Sequence, residues 1–233
     1  MGRENNKGNK KSANFDRDSI RVQLEQSLDA LPVPEHISVA ALAAALTNYL
    51  AELHKWNHAY NLTAVRDPGE MVTRHIYDSL TAAPFVSRAR VSGKHVADVG
   101  TGAGLPGIPL ALCFPDTRFM LIDTNGKKTR FVQHVATHLQ LNNVDVLQTR
   151  VEEFTPEQPF DVVFCRAFTS LAAFAAGCSQ LVAPDGCLIA MKGKYPADEV
   201  AALAGSGWTV SQSSEVQVPG LEGERHILEL RRV

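Results

Sequence analysis

The sequence predicts an α/β fold, a mostly parallel seven-stranded sheet wrapped by helices, preceded by an N-terminal helical extension. Three observations predict it. The apolar run HVADV at residues 95–99 empties into a glycine-rich turn and then a new helix. From residue 95 onward short apolar strands alternate with helical stretches, which gives a parallel sheet covered by helices. Near the end the pattern changes, and two strand-like runs flank the turn-rich link VPGLEGE as an antiparallel hairpin.

In the extension, Ile20, Leu24, Leu28 and Leu31 recur at helical spacing over residues 18–31, until Pro32 and Pro34 end the run. A second helix starts after Ser38 and carries AALAAALTNYLAELHKW, and a third, opened by Pro68 and Gly69, covers about residues 68–83. Strands follow at 95–99, 118–123, 143–148, 160–165 and 186–191, and helices at 105–113, 126–140 and 168–181. The closing strands lie near 207–217 and 225–232. The expected organisation is a disordered basic tail (1–15), a helical cap (16–92) and a sheet domain (93–233).

A chain of 233 residues with 45% hydrophobic residues suffices for one buried core and an appendage. No run approaches the ~20 apolar residues of a membrane span, and no apolar leader opens the chain, so a cytoplasmic protein without a membrane partner is expected. The net charge of -2 gives no overall attraction to nucleic acid, so local basic clusters matter more, among them Arg3, Lys7, Lys10 and Lys11 in the tail. Cys113, Cys165, Cys178 and Cys187 show no C-x-x-C pairing and read as reduced core thiols. His134 and His138 are spaced i, i+4 but share a stripe with Phe131 and Val135 and lack an evident third ligand; no metal is expected.

Glycines at 100, 102, 104 and 107 allow positive φ angles and close approach to a ligand, and the next helix offers unpaired amides. Asp123 ends the following apolar run, where a carboxylate is placed to accept hydrogen bonds from ribose hydroxyls. A nucleoside-bearing cofactor follows. Two overlapping patterns leave its kind open: Gly102 to Gly107 fits the dinucleotide G-x-G-x-x-G, and Gly100 to Gly104 fits the G-x-G-x-G of S-adenosylmethionine sites. Asp98 favours the sulfonium cofactor, because a carboxylate suits a methionine amino group and adds nothing to a pyrophosphate nest. A nicotinamide-dependent oxidoreductase is the alternative enzyme, and a non-catalytic RNA-binding factor the alternative from another class.

Other chemistry-bearing residues gather at the carboxyl edge of the strands. Val151 and Glu152 follow the third strand, where a valine can face an adenine ring and a glutamate its edge. Arg166 ends the fourth strand and either serves the site or pairs internally, for instance with Asp161 or Glu152. Lys192 and Lys194 follow the fifth strand; with Asn125, Lys127, Lys128, Arg130 and Arg225-His226 they form a candidate positive rim. In the cap, His54-Lys55-Trp56-Asn57 and Tyr60-Asn61-Leu62-Thr63 permit base stacking and edge recognition, although Trp56 also fits plain packing between cap and sheet. His75 and Asp78 are spaced to form a hydrogen-bonded pair.

The series HKWNHAYNLTAVRDP, RHIYDSL, DVGTGAGLPGIPLAL, LIDTNGKKTRF, RVEEF, CRAFTSL, MKG and GERHI, in that order, resembles the bacterial small-subunit ribosomal RNA guanine-N7 methyltransferases, the glucose-inhibited division protein B family. It extends from about residue 54 to 231; Thr124 and Cys165 stand where that family has Ser, and both changes are small. The resemblance implies a class I S-adenosylmethionine-dependent methyltransferase with a Rossmann-like domain. It implies cofactor binding by Asp98, Gly100, Thr101, Gly102, Gly104, Leu105, Asp123, Val151, Glu152 and Arg166, and substrate positioning by Arg166, Lys192 and Arg225. The acceptor it implies is N7 of a guanine in a 16S ribosomal RNA loop near the decoding centre, met as RNA or as the small ribosomal subunit, with no obligatory protein partner and no general base.

Overall fold

The first three helices of the cap each start where an acceptor side chain meets unpaired amides. The computed structural model describes residues 14–88, 95–166 and 170–233. In it Asp16 accepts from the amides of Asp18 and Ser19 to open α1 (Arg17–Leu28), and Ser38 opens α2 (Val39–Tyr60) through the Ala41 amide. α2 runs to Tyr60 and stops where Asn61 turns left-handed. α1 ends at Leu28, short of residue 31, yet Leu31 is still buried. The basic tail up to residue 13 and the 92–93 boundary lie outside the described residues.

The helix expected over 68–83 is not uniform. Asp67 caps α3 (Pro68–Met71), a π-helical turn follows (Val72–Tyr77), then α4 (Asp78–Leu80) and, past a tight turn, α5 (Ala83–Arg88). A single wide turn leaves no mark in a 3.6-residue pattern, but it shifts the angular position of every later side chain. Asp78, the first residue after it, is aimed by that shift.

The strands are β1 (His95–Val99), β2 (Arg118–Asp123), β3 (Val144–Gln148), β4 (Phe160–Cys165), β5 (Val182–Lys192), β6 (Trp208–Glu215) and β7 (His226–Arg232). Among the described residues they form one seven-stranded sheet in the order β3-β2-β1-β4-β5-β7-β6. Pairing is parallel from β3 to β5 and antiparallel for β5–β7 and β7–β6, as the sequence predicts. The linking helices are α6 (Gly107–Cys113), α7 (Gly126–His138), α8 (Leu171–Cys178) and α9 (Ala197–Ala201). β5 starts at Val182 rather than at 186, across an irregularity in its pairing with β4. A Cβ at Gly186 would lie 2.9 Å from the carbonyl oxygens of Phe160 and Asp161, so glycine lets the strands stay close there. The strand order reverses between β1 and β4, and open α/β sheets bind ligands in the crevice at that point.

One apolar cluster joins cap residues Leu24, Leu46, Leu50 and Met71 to Phe119, Phe131 and Phe164 of the sheet domain; a second sits on the opposite sheet face around Phe174, Leu188 and Trp208. The four cysteines are buried, and burial pushes the Cys113 thiol up to about 12. No helix among the described residues is long and apolar enough to cross a membrane. Tyr49 of α2 is fully buried, and burial raises its pKa so that the phenol stays a donor. It donates to the Ala103 carbonyl at 2.7 Å and ties the cap to the glycine-rich turn. Tyr49→Phe leaves that buried carbonyl unpaired and is expected to lower unfolding free energy by about 1–3 kcal/mol, read from urea unfolding.

Candidate active site

The four glycines after β1 do two different jobs. Gly100 and Gly102 have φ of 70° and 60° and face open space: a Cβ on Gly100 meets nothing within 4 Å, and one on Gly102 meets only the Gly100 carbonyl oxygen at 3.9 Å. A Cβ on Gly104 would lie 2.6 Å from Ile108 Cγ1, and one on Gly107 2.2 Å from Leu121 Cδ2. These two glycines permit close packing of turn, helix and strand. A side chain at Gly104 would thus enter the packing against Ile108 and not the open space that the sequence reading expects there.

Two carboxylates hold the turn. Asp98, at 1% exposure, accepts through Oδ2 from the Thr101 hydroxyl at 2.7 Å and the Gly107 amide at 2.9 Å. Its Oδ1 is buried with no hydrogen-bond partner. Burial pushes its pKa up to about 6, although the two hydrogen bonds and the Arg166 charge pull the other way. Asp123 accepts from the Gly102 amide at 2.9 Å and the Asn125 amide at 2.8 Å, with Lys128 Nζ 3.9 Å away. The Thr101 hydroxyl and the buried Leu105 side chain thus support the turn from within the protein.

A cleft of about 170 Å³ opens beside the turn, lined by Gly100, Ile122, Asp123, Thr149, Val151 and Glu152 among others. It brings together the β1, β2 and β3 ends, as the sequence predicts. Val151 and Glu152 lie in a short 3-10 turn whose first carbonyl accepts from Gln180 Nε2 at 2.9 Å, a support the sequence did not suggest. A larger cleft of about 680 Å³, between Phe85, Asp161 and Asp185, lies at the amino end of β4, away from this chemistry.

At the adjoining edge one carboxylate holds two arginines. Asp78 Oδ2 lies 3.4 Å from Arg166 Nη1, and Asp78 Oδ1 lies 3.2 Å from Arg225 Nε. Arg166 also reaches the Arg74 carbonyl oxygen at 3.5 Å. This corrects two expectations. Of the two readings of Arg166 an internal pair is present, but with Asp78 in place of Asp161 or Glu152; Asp161 accepts from the His95 amide. His75 does not bond Asp78; its Nε2 meets the Thr63 hydroxyl at 2.9 Å and its Nδ1 is buried without a partner. Burial and the Arg166 charge push the His75 pKa down to about 4, so the ring is neutral at pH 7. Arg166 also acts electrostatically on Asp98 and Tyr49, which puts its charge within reach of both halves of the site.

Lys192 is not a free rim lysine. Its Nζ lies 2.9 and 3.1 Å from the two oxygens of Glu199, which also accepts from the Leu171 amide at the start of α8. Glu199 sits on α9, a helix with no buried residue and so no apolar periodicity to reveal it. Of the remaining rim, Lys127, Arg130 and Lys194 are exposed, Asn125 caps α7, and His226 Nδ1 lies 3.1 Å from the Gly193 carbonyl oxygen. Among the described residues no group of three or more potential ligands forms a metal site.

Comparison with known proteins gives a consistent result. A family model described as GidB, rRNA small subunit methyltransferase G, matches residues 42–228. Ribosomal RNA small subunit methyltransferase G of Marinobacter nauticus is 51% identical over 187 residues, covering 80% of this chain and 85% of that protein. The protein of the same name from Xanthomonas axonopodis pv. citri is 48% identical over 213 residues, covering 91% and 95%. Among solved structures, magnesium protoporphyrin IX methyltransferase from Synechocystis PCC 6803 with bound SAM has a TM-score of 0.58 at 17% identity, covering 79% of this chain and 97% of that one. The DhpI–SAH complex has a TM-score of 0.52 at 17% identity, covering 84% and 98%. These last two establish the fold.

The two classes of glycine predict different failures. Gly100→Ala, at positive φ in open space, is expected to cost about 1–2 kcal/mol of stability and to weaken S-adenosylhomocysteine binding. Gly104→Ala adds overpacking against Ile108, for a loss of about 2–5 kcal/mol. Urea unfolding and titration calorimetry on both variants read the difference.

Proposed function

The chain belongs to the GidB family of rRNA small subunit methyltransferases, and from that premise we propose that it transfers the methyl group of S-adenosylmethionine to N7 of a guanine in 16S ribosomal RNA. The observation that carries the reading is the buried Oδ1 of Asp98, which has no partner in the protein and lies on β1 two residues before Gly100, where the turn leaves open space. A ligand ammonium completes such an acceptor, whereas a pyrophosphate is repelled by it. Family membership sets aside both the nicotinamide-dependent and the non-catalytic alternatives. In this reading residues 16–92 form a cap over a methyltransferase domain of residues 93–233, and the enzyme meets its RNA, free or within the small subunit, in the cytoplasm.

S-adenosylmethionine supplies an electrophilic methyl group on a good leaving group. Guanine N7 carries a lone pair and no proton, so the chain's own task is alignment, an effect worth up to about 7–11 kcal/mol in favourable cases. Asp98, Gly100, Gly102, Asp123, Val151 and Glu152 hold the cofactor, with Thr101, Gly104 and Leu105 keeping the turn in shape. Arg166 and Arg225, spaced by Asp78, and Lys192, oriented by Glu199, take the RNA by its phosphates and fix the guanine. His75, with a pKa of about 4, is too weak a base to take part near neutrality.

Transfer of a tritiated methyl group to 16S RNA or small subunits, with the label mapped to guanine N7, tests the reading, and an unlabelled RNA fraction overturns it. The single-turnover rate at saturating RNA and cofactor is expected to be flat from pH ~6.5 to 8.5, since no group titrating there carries a proton in the reaction. In the same assay Asp78→Asn frees two guanidiniums from their common anchor and is expected to slow transfer about 100-fold while S-adenosylhomocysteine affinity is retained.

A further inference from the structure

Four rings stand in a row across α2 and α7. The centroids of Tyr60 and Trp56 are 5.4 Å apart, those of Trp56 and His134 5.1 Å, and those of His134 and His138 5.9 Å, the last pair within 12° of parallel. Helical geometry builds the row, since 56 and 60 on one helix and 134 and 138 on the other are spaced i, i+4. The inner rings are fixed: Trp56 packs on Phe131 at 5.6 Å, and His134 Nε2 hydrogen-bonds Glu52 Oε2 at 2.8 Å. The outer rings are open, with Tyr60 at 44% exposure and His138 exposed.

The charge around the row suits a polyanion. Partial burial alone would raise the Glu52 pKa, but the His134 hydrogen bond and the Lys55 charge hold the carboxylate below its usual range, so the one acid in the row is already answered. Lys55 and Arg130 are exposed on the same two helices, and Arg130 precedes His134 by one helical step on the same face. The chain leads from the row toward the Arg166–Asp78 pair. Tyr60 ends α2 just before Thr63, whose hydroxyl meets His75 next to the Arg166–Asp78 pair.

We propose that this row is a stacking platform for unpaired bases of the ribosomal RNA segment that flanks the target guanine, a proposal that rests on the RNA-methylating reading above. Base faces stack on flat rings without regard to sequence, and lysine and arginine beside the rings take the intervening phosphates. Trp56 and His134 hold the outer rings in place before the RNA arrives, which reduces the ordering cost of binding. A protein partner would favour a contiguous aliphatic groove, whereas the row mixes imidazoles and cations.

The test uses the full chain with small ribosomal subunits. The variant carrying Tyr60→Ala and His138→Ala is expected to raise KM for subunits about tenfold or more, with kcat and S-adenosylhomocysteine affinity held, while Tyr60→Phe keeps the wild-type KM because the ring and not the hydroxyl is used. p-Azidophenylalanine in place of Tyr60, irradiated on subunits, is expected to cross-link to ribosomal RNA. An unchanged KM in the double variant, an equal defect in Tyr60→Phe, or a cross-link to a ribosomal protein overturns the proposal. A wild-type chain that transfers no methyl group instead refutes the RNA-methylating reading, and the cross-link still reads what covers the row.

Discussion

Two carboxylates at the ends of adjacent parallel strands hold the turn on which the site depends. Backbone with φ of 60–88° and no side chains at Gly100, Gly102 and Gly104 has little to pack with and would sample many conformations if left alone. Asp98 bonds Thr101 and the Gly107 amide, and Asp123 bonds the Gly102 amide, so the turn is gripped from β1 and from β2. Tyr49 adds a third grip from the cap through the Ala103 carbonyl. The turn can then present open space at Gly100 and Gly102 while Gly104 and Gly107 let α6 pack against β2 without a gap.

The cap is coupled to the sheet chemically as well as by shared apolar packing. A carboxylate that faces two guanidiniums at partial exposure is held by charge-assisted bonds from both sides, and the elements that bear them come from distant parts of the chain. The π-helical turn before Asp78 is what brings that carboxylate to the edge where β4 and β7 deliver Arg166 and Arg225. The glycine-rich turn and the Asp78 cluster therefore share one frame, with the Arg166 charge acting on Asp98, Tyr49 and His75 alike. Such a frame suits a reaction that asks for alignment of two substrates and no proton transfer.

The strands were legible because a buried parallel sheet leaves runs such as HVADV and RFMLID between turn signals, and six of the seven start within about two residues of expectation. The placement of Asp98 and Asp123 near the carboxyl ends of β1 and β2, and of Val151–Glu152 just past β3, was legible because each closes or follows an apolar run. What stayed hidden depended on contacts between distant segments. Nothing in GTGAGLPG separates the glycines facing space from those facing Ile108 and Leu121. Asp78 stood in RHIYDSL as a partner for His75, and only the wide helical turn redirects it to Arg166 and Arg225. Glu199 lies on a short helix without an apolar stripe, so no periodic signal marks the residue that orients Lys192.

The central claim is that the buried Asp98 carboxylate, whose Oδ1 has no partner within the protein, accepts the cation of a ligand at the end of β1. Carbon-13 NMR of the Asp98 carboxyl group, titrated in the free protein and with saturating S-adenosylhomocysteine, tests it directly. The account predicts a pKa of about 6 in the free protein, raised by burial, and a clear fall when the ligand ammonium arrives, so that ligand affinity weakens as pH drops below about 6. An ordinary carboxylate pKa in the free protein, or a value unmoved by the ligand, would contradict it.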